Sequence, residues 1–307
     1  MAWRRAEHDS RAVWVIVAAL AGAAVIGTIV LGLGGGFGAA GPGSSLAMSP
    51  GTSSASPVAD PYASRYPIVR HSVAVIGDDT DDVFLPLAAS AGLPVRRLPV
   101  AVVLPDRRVD PSQYEQFAHD VASYGLVVVV ASRSGRGVLA SVDTWSRRVD
   151  ADSSAPAEGL VEPGSLVVVV HGDAASGPPP NPWPRSVAAT AVVLPTGSPW
   201  AGRWSGPLLV LAGGAGTDRP AAHAAFAAAR GAPRALVAMA AVDQLAVTDQ
   251  GRGTPRTVGD PTPRRAARLD VVAQYTAWWL LAHLGSPTGR AFYAATPPAG
   301  VHLTRAG

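Results

Sequence analysis

The sequence predicts an α/β domain with a mostly parallel central sheet flanked by helices, preceded by one N-terminal transmembrane helix. Short runs of valine and leucine alternate with helix-like segments from His71 to Gly285. These apolar runs are continuous and do not alternate with polar residues, which is typical of strands covered by helices on both faces. The N-terminal segment 13–33 carries no charge and is long enough to cross a bilayer.

The predicted transmembrane helix, residues 13–33, reads VWVIVAALAGAAVIGTIVLGL. At the rise of an α-helix it spans roughly 32 Å, the thickness of a bilayer core. Three arginines precede it within residues 1–12, and no charge follows it until Asp60. The positive-inside rule therefore keeps residues 1–12 cytoplasmic. A cleavable signal peptide is the alternative, but its apolar region is normally shorter. We expect a single-pass plasma-membrane protein with an extracytoplasmic main domain.

Residues 34–61 are rich in glycine, serine, alanine and proline and cannot build a core. Such a composition is typical of a tether, with a mean reach on the order of 30 Å. The segment is predicted to link the transmembrane helix to a folded domain formed by residues 62–307. Membrane attachment through the single N-terminal helix is therefore the first partner interaction that the sequence predicts.

The composition excludes several classes of function. The formal net charge is +3 and the arginines are scattered, so no nucleic-acid-binding surface is expected. There are 0 cysteines, which excludes a disulfide framework, thiolate zinc sites and a cysteine nucleophile. The acidic stretch Asp78–Asp82 lacks the spacing of a calcium loop and is predicted to be a solvated turn. Neither a metal nor a cofactor is expected.

The folded domain begins with a strand–helix–strand unit. Its helix opens on Asp110 as N-cap, with Pro111 inside the first turn, and ends at Gly125. A parallel sheet with a right-handed crossover follows from this order. The predicted strands are 71–77, 99–105, 126–132, 165–170, 189–195, 206–214 and 234–241, and the predicted helices are 110–125, 138–149, 220–231 and 268–285.

The stretch SLVVVVHGDAASG, residues 165–177, carries the clearest functional pattern. Four valines lead directly into His171, Gly172 and Asp173. A buried parallel strand that ends in a tight, glycine-containing turn presents a reactive residue at its carboxyl end. Here the residue at the tip is an aspartate where a serine would be expected.

The order of these elements resembles the α/β-hydrolase superfamily, in particular the branch of dienelactone hydrolases, chlorophyllases and cutinase-like polyesterases. The resemblance covers residues 66–305 and is carried by four stretches. They are 98–132, 141–177, 206–249 and 273–293. It implies an α/β-hydrolase-like fold, with a nucleophile turn after the strand that ends in VVVVH.

The resemblance places His171 to Ala175 on the Gly-x-Ser-x-Gly pattern of these enzymes, with Asp173 at the nucleophile position. Asp173 is alternatively a helix N-cap, a role in which aspartate is common. His171 lies two residues earlier at the strand end. We expect it to be a packed, hydrogen-bonded residue more than a base.

The other site positions also depart from the family pattern. Asp218 is a possible catalytic acid or part of an ordinary surface turn, and Asp243 lies where the family has its histidine. The oxyanion donors would be the backbone N–H of Ala174 and one near Asp106 or Arg107. A carboxylate at Asp106 is unfavourable beside an oxyanion unless a neighbouring arginine neutralises it.

Three functions are compatible with this pattern. The first is a catalytically degenerate hydrolase domain that binds a cell-envelope protein or lipid. The second is a hydrolase with Asp173 as nucleophile, and the third is a carboxylic-ester hydrolase that uses Ser176, Ser132 or Ser134. The sequence favours the first because no histidine follows the expected strand, and an imidazole normally transfers the protons in these reactions.

Overall fold

We analysed a computed structural model of the chain. The structure describes residues 65–76, 79–86, 97–132, 142, 144–147, 161–176, 187–196, 206–214, 218–229, 232–240, 242–249 and 263–306. The transmembrane segment 13–33 and the linker 34–61 predicted from the sequence lie outside these residues. Among the helices that are described, none combines the length and the apolar character needed to cross a membrane.

The described part of the chain forms one nine-stranded mixed sheet in the order β1-β2-β4-β3-β5-β6-β7-β8-β9. Neighbouring strands are parallel from β4 through β3 and β5 to β8, whereas β1, β2 and β9 pair antiparallel. The strands are β1 Ile68–Ile76, β2 Asp79–Pro86, β3 Leu98–Leu104, β4 Val127–Val130, β5 Val161–His171, β6 Val187–Val193, β7 Leu208–Gly213, β8 Arg234–Met239 and β9 Val301–Ala306.

In the described part of the chain, four α-helices accompany the sheet: α1 Glu115–Ala122, α2 Asp218–Ala228, α3 Pro263–His283 and α4 Pro287–Ala294. The same residues include three short 3-10 turns, at Pro111–Tyr114, Gly172–Ser176 and Gln244–Val247. The helix predicted at 138–149 is described only at 142 and 144–147, and these residues are helical.

Helices cover both faces of the sheet, as the continuous valine runs predict. In β5, Val167 and Val169 contact the core beneath α1 and α3, while Val168 and Val170 contact the core beneath Trp145 and α2. Successive strand residues point to opposite faces, so a strand buried on both sides must be apolar at every position. The α/β class and the covered sheet are therefore confirmed, with a parallel centre and antiparallel edges.

The N-cap predicted for the first helix is confirmed at the 3-10 turn that precedes α1. The Asp110 carboxylate accepts the backbone N–H of Ser112 at 3.0 Å, and Pro111 occupies the first position of the turn. This cap fixes the direction of the chain as it leaves β3. It thereby positions Tyr114, whose side chain points back beneath the sheet end and is fully buried.

One sequence prediction is wrong. Of the acidic stretch predicted to be a solvated turn, Asp79–Asp82 belong to β2, and the Asp81 carboxylate is buried. It accepts hydrogen bonds from the backbone N–H of Ser132 and the indole N–H of Trp145. The last helix predicted, 268–285, is confirmed as α3, and Gly285, with a positive φ of 96°, follows its end; α4 was not predicted. The edge strand β9 was not predicted at all.

Candidate functional site

Residues predicted from the sequence converge at the carboxyl ends of the central strands. Asp106 follows β3, His171 ends β5 and Asp173 lies in the turn directly after it. Because β3 and β5 are adjacent and parallel, their carboxyl ends lie at the same edge of the sheet. The turn Gln244–Val247, which follows β8, reaches the same cluster. Asp218 begins α2, and its side chain is not among the described ones.

Asp106 lies at the centre of this cluster, and its side chain is only 1% exposed. One carboxylate oxygen, Oδ1, accepts the backbone N–H of Arg108 at 2.8 Å. The other, Oδ2, accepts the backbone N–H of Asp173 at 3.0 Å and the side-chain N–H of Gln244 at 3.1 Å. The Arg108 guanidinium Nε lies 3.5 Å from Oδ1. Three N–H donors and one cation therefore surround a single buried carboxylate.

These donors keep Asp106 ionised. Burial raises the pKa of Asp106. The hydrogen bonds from the backbone N–H groups of Arg108 and Asp173 lower this pKa, and the charge of Arg108 lowers it as well, so that together these effects outweigh burial. The net pKa lies below the ordinary value of an aspartate. His171 lowers it too, but only in acid, where the imidazole is charged. Near neutral pH the buried group is thus an anion held mainly by amide dipoles.

Asp173 completes a reciprocal exchange between two loops. Its Oδ1 accepts the backbone N–H of Arg107 at 2.7 Å, while its own backbone N–H donates to Asp106. The Arg108 Nε lies 3.7 Å from the Asp173 Oδ2, and the Asp173 side chain is 22% exposed. The amide of Arg107, one of the oxyanion donors predicted from the sequence, therefore holds the Asp173 carboxylate in this structure.

His171 is fully buried between two partners. Its Nε2 lies 3.0 Å from the carbonyl oxygen of Gln244, which can only accept, so the ring proton is on Nε2. The Nδ1 then accepts the hydroxyl of Tyr114 at 2.6 Å, and the same oxygen accepts the backbone N–H of Asp106 at 2.9 Å. Burial lowers the pKa of His171 to about 4, despite the nearby Asp106 carboxylate, so the imidazole is neutral at pH 7. This arrangement suits a structural role.

Asp243, predicted at the position of the family histidine, points elsewhere. Its side chain is 70% exposed and caps the 3-10 turn that follows β8 by accepting the N–H of Leu245 at 3.1 Å. The neighbouring Gln244 is the residue that enters the cluster, where it contacts both His171 and Asp106. Sequence reasoning missed Gln244 and Tyr114, because neither amide nor phenol carries a recognisable spacing signal.

Two backbone conformations at this edge of the sheet are unusual. Gly172 has a φ of +58°, and a Cβ atom placed there would lie 1.9 Å from the Asp106 Oδ2. Among the described residues other than glycine, Leu194 alone has a positive φ, of 47°, and its side chain is fully buried. For a residue other than glycine, such as Leu194, this conformation costs on the order of 1–3 kcal/mol, and such residues concentrate at functional sites, whereas glycine adopts it readily. Asp173 does not have a positive φ, so the left-handed residue of this turn is Gly172.

The loop after β6 joins the same cluster. The backbone N–H of Thr196 donates to the carbonyl of Gly172 at 3.2 Å, and the Arg108 guanidinium donates to the Thr196 hydroxyl at 3.2 Å. Arg108 therefore spans the loops after β3, β5 and β6. Its side chain is still 66% exposed, so these contacts lie at the solvent boundary of the cluster.

The remaining candidates lie apart or outside the described side chains. Ser132 follows β4 and donates its backbone N–H to Asp81, away from Asp106. The side chain of Ser176 and all of Ser134 are outside the described part of the chain, as is the side chain of Ala175. Ala174 lies within the turn Gly172–Ser176 and is buried, 3% exposed. Within the described residues, no group of three or more histidine, aspartate or glutamate side chains is arranged to hold a metal ion.

The sheet and its covering helices define an α/β protein with a buried polar network at the carboxyl ends of its central strands. No protein-family model matches the sequence, and no curated protein matches it at a significant level. Functional inference therefore starts from the contacts of Asp106, His171 and Asp173.

Proposed function

We propose that the chain is a single-pass membrane protein whose extracytoplasmic domain has an α/β-hydrolase-like fold, lacks hydrolytic activity and acts by binding a protein or lipid of the cell envelope. The position of the two central loops supports this assignment. Hydrolases of this class place the nucleophile on a sharp turn after a central strand and take one oxyanion donor from the loop after β3. Here the turn after β5 and the loop after β3 exchange hydrogen bonds.

One observation carries the proposal that the domain is inactive: the histidine in this cluster has no ring nitrogen available for catalysis. His171 uses Nδ1 for Tyr114 and Nε2 for the carbonyl of Gln244. Triad chemistry requires an imidazole that takes a proton from the nucleophile and returns it to the leaving group. A neutral, fully buried ring with both nitrogens occupied cannot do so without leaving its site.

The carboxylates give no substitute route. In an aspartate-nucleophile reaction the carboxylate attacks carbon, and an activated water then cleaves the resulting ester. The Asp173 Oδ1 is held by the Arg107 amide and its Oδ2 lies near the Arg108 guanidinium, contacts that weaken it as a nucleophile. Of the histidines whose side chains the structure describes, His171 is the one near Asp173. Hydrolysis of an ester at Asp173 would therefore stall.

The test of inactivity uses the full chain in detergent. We expect no turnover of short-chain nitrophenyl esters above the blank and no labelling by a fluorophosphonate probe, with an active serine esterase in the same detergent as positive control. Stoichiometric labelling of Ser176, Ser132 or Ser134 would overturn the proposal in favour of an ester hydrolase. An ester trapped on Asp173 after incubation with an epoxide or a haloalkane would favour the aspartate nucleophile.

The membrane anchor is tested separately. Residues 13–33 carry no charge and follow an arginine-rich N-terminus, so we expect the chain to remain in the membrane pellet after alkaline extraction. Protease added outside intact cells should digest residues 62–307 and spare an N-terminal tag. Release of the intact chain into the supernatant would contradict the anchor. It would leave the proposal of inactivity untouched.

A further inference from the structure

The turn after β5 places its unusual backbone one residue earlier than the sequence pattern suggests. The strained turn of a hydrolase elbow presents the nucleophile, and the amide of the next residue donates to the oxyanion. In this structure the positive φ belongs to Gly172, and the amide that follows it is that of Asp173. Asp173 has an ordinary backbone conformation, so its side chain does not occupy the tip of the turn.

The space in front of Gly172 is filled by a side chain from another loop. A Cβ atom at residue 172 would lie 1.9 Å from the Oδ2, 2.7 Å from the Cγ and 2.9 Å from the Cβ of Asp106. A contact below 3.0 Å cannot be accommodated unless Asp106 moves. Any side chain at position 172 and the carboxylate of Asp106 are therefore mutually exclusive in the present arrangement.

The same carboxylate accepts both kinds of donor that would form an oxyanion hole. It takes the N–H of Asp173, which follows Gly172, and the N–H of Arg108, which belongs to the loop after β3. A hydrolase draws its oxyanion donors from these two places. The Asp106 carboxylate presents to these two N–H groups the negative charge and the acceptor oxygens that an oxyanion would present. Because the carboxylate is buried against both donors, an external anion cannot reach them.

We propose that Gly172 is the position of the missing nucleophile, and that the Asp106 carboxylate is an internal anion that fills both the space of that side chain and the oxyanion hole. The site is thus closed to external carboxylates and esters by the chain itself. The assignment to the nucleophile position rests on the proposed hydrolase-like fold, whereas the mutual exclusion of Asp106 and a side chain at 172 does not. Removal of the carboxylate should open a site for a small anion such as formate.

The first test measures the steric conflict with a matched pair of glycines in the full chain. Gly164 also lies in β5 and has a positive φ of 72°, but a Cβ there would meet nothing within 4 Å. We expect Gly164→Ala to lower the Tm by a few degrees, because alanine is strained at positive φ. Gly172→Ala should lower it by about twice as much. Equal losses would overturn the proposal.

The second test repeats Gly172→Ala in an Asp106→Gly background. Glycine is chosen at 106 because the Asp106 Cβ alone would lie 2.9 Å from a Cβ at 172. The extra loss caused by Gly172→Ala should then disappear and match that of Gly164→Ala. If the extra loss persists, Asp106 is not the occupant of that space. If Asp106→Gly fails to fold, the comparison of Gly172→Ala with Gly164→Ala in the original chain still tests whether Asp106 blocks a side chain at position 172.

The third test measures occupancy of the opened site by an anion. Sodium formate at about 100 mM should raise the Tm of Asp106→Gly by several degrees relative to sodium chloride at equal ionic strength, in a saturable manner. The original chain and an Asp243→Gly control, which loses an exposed carboxylate, should show no such difference. Equal effects on all three proteins, or on none, would overturn the internal-anion proposal. Neither result depends on esterase activity, so it is separable from the test of inactivity.

Discussion

The domain buries one aspartate near the edge of its sheet and another at its centre, and the two differ in what surrounds them. Asp81, on β2, accepts the N–H of Ser132 at 2.7 Å and the indole N–H of Trp145 at 2.8 Å. These contacts join β2 to the segment after β4 and to the helical residues 142 and 144–147. Asp81 therefore ties together elements that are distant in sequence.

Asp106 also ties loops together, but in a different setting. Its carboxylate approaches the backbone so closely that residue 172 has to be glycine, and an arginine at the surface lies 3.5 Å away. The backbone N–H of Asp106 also donates to the Tyr114 hydroxyl, which in turn donates to the imidazole of His171. Burial of a carboxylate thus does not by itself mark a functional site. The close backbone approach and the neighbouring titratable group distinguish the central aspartate.

The largest expected effect is that of Asp106→Asn. One amide group cannot accept at both ends, so the substitution leaves either the Arg108 amide or the Asp173 amide and Gln244 facing an NH₂ group. We expect the free energy of unfolding to fall by about 3–4 kcal/mol, measured by urea denaturation. Asp81→Asn is the matched variant and should lose about 2 kcal/mol, because either the Ser132 amide or the Trp145 indole would then face an NH₂ group, while no arginine or second titratable group of the central cluster is affected. A larger loss at Asp81 would reverse the comparison.

Tyr114→Phe separates the contribution of the polar network from that of packing. The substitution keeps the ring but leaves the Asp106 amide without its acceptor and the His171 Nδ1 without its donor. We expect a loss of about 2–3 kcal/mol in the free energy of unfolding. Tyr293→Phe is the control, since its hydroxyl donates to the carbonyl of Tyr275 at 2.7 Å, and it should lose about 1 kcal/mol. Equal losses would show that the cluster is no more sensitive than an ordinary buried hydrogen bond.

The main dependence of stability on pH should come from His171, with a smaller contribution in the same direction from His283, whose pKa is also lowered by burial. Burial lowers the pKa of His171 to about 4, whereas an unfolded histidine titrates near 6.5. Between these values the unfolded chain binds a proton that the folded chain does not, so stability falls as the pH drops from about 6.5 towards 4. From pH 7 to pH 5 the expected loss is about 2 kcal/mol. Asp106, whose pKa is lowered, loses its contribution only at still lower pH.

The control for this prediction is a pair of histidine variants. His171→Gln should abolish most of the loss between pH 7 and pH 5, whereas His223→Gln, on the exposed side of α2, should leave it unchanged. Urea denaturation at the two pH values measures both. A pH dependence that survives His171→Gln would assign the titration to another group, and the neutral, buried imidazole would no longer explain it.

The fold was largely predictable because burial on two faces requires apolar residues at every strand position. The runs that became β3, β4, β5 and β7 show this directly in the sequence. β2 was missed because its first half is acidic, and its burial depends on Trp145, which follows Asp81 by more than sixty residues. β9 was missed because Val301 and Leu303 are only half-buried, which leaves a weak apolar signal.

The site was predictable only in outline. The strand end predicted the turn that carries His171 and Asp173, and the resemblance to α/β-hydrolases implied that the loop at Asp106 and Arg107 would lie beside it. The one-residue difference between Gly172 and Asp173 depends on a backbone φ angle, which glycine permits but does not dictate. Gln244 and Tyr114 enter the cluster through the packing of separate elements. Their roles follow from tertiary contacts and not from any spacing along the chain.

The smallest expected effect is that of Arg108→Gln, and it tests what holds the central carboxylate. The guanidinium is close to Asp106 and Asp173, but its side chain is 66% exposed, and exposed ion pairs contribute about 0–1 kcal/mol. We expect a loss below about 1 kcal/mol in low salt that disappears in about 1 M salt, with Arg107→Gln as the exposed control. Both variants keep their backbone N–H groups, which donate to Asp106 and Asp173. A loss as large as that of Asp106→Asn would mean that the ion pair, and not the amides, holds the internal anion.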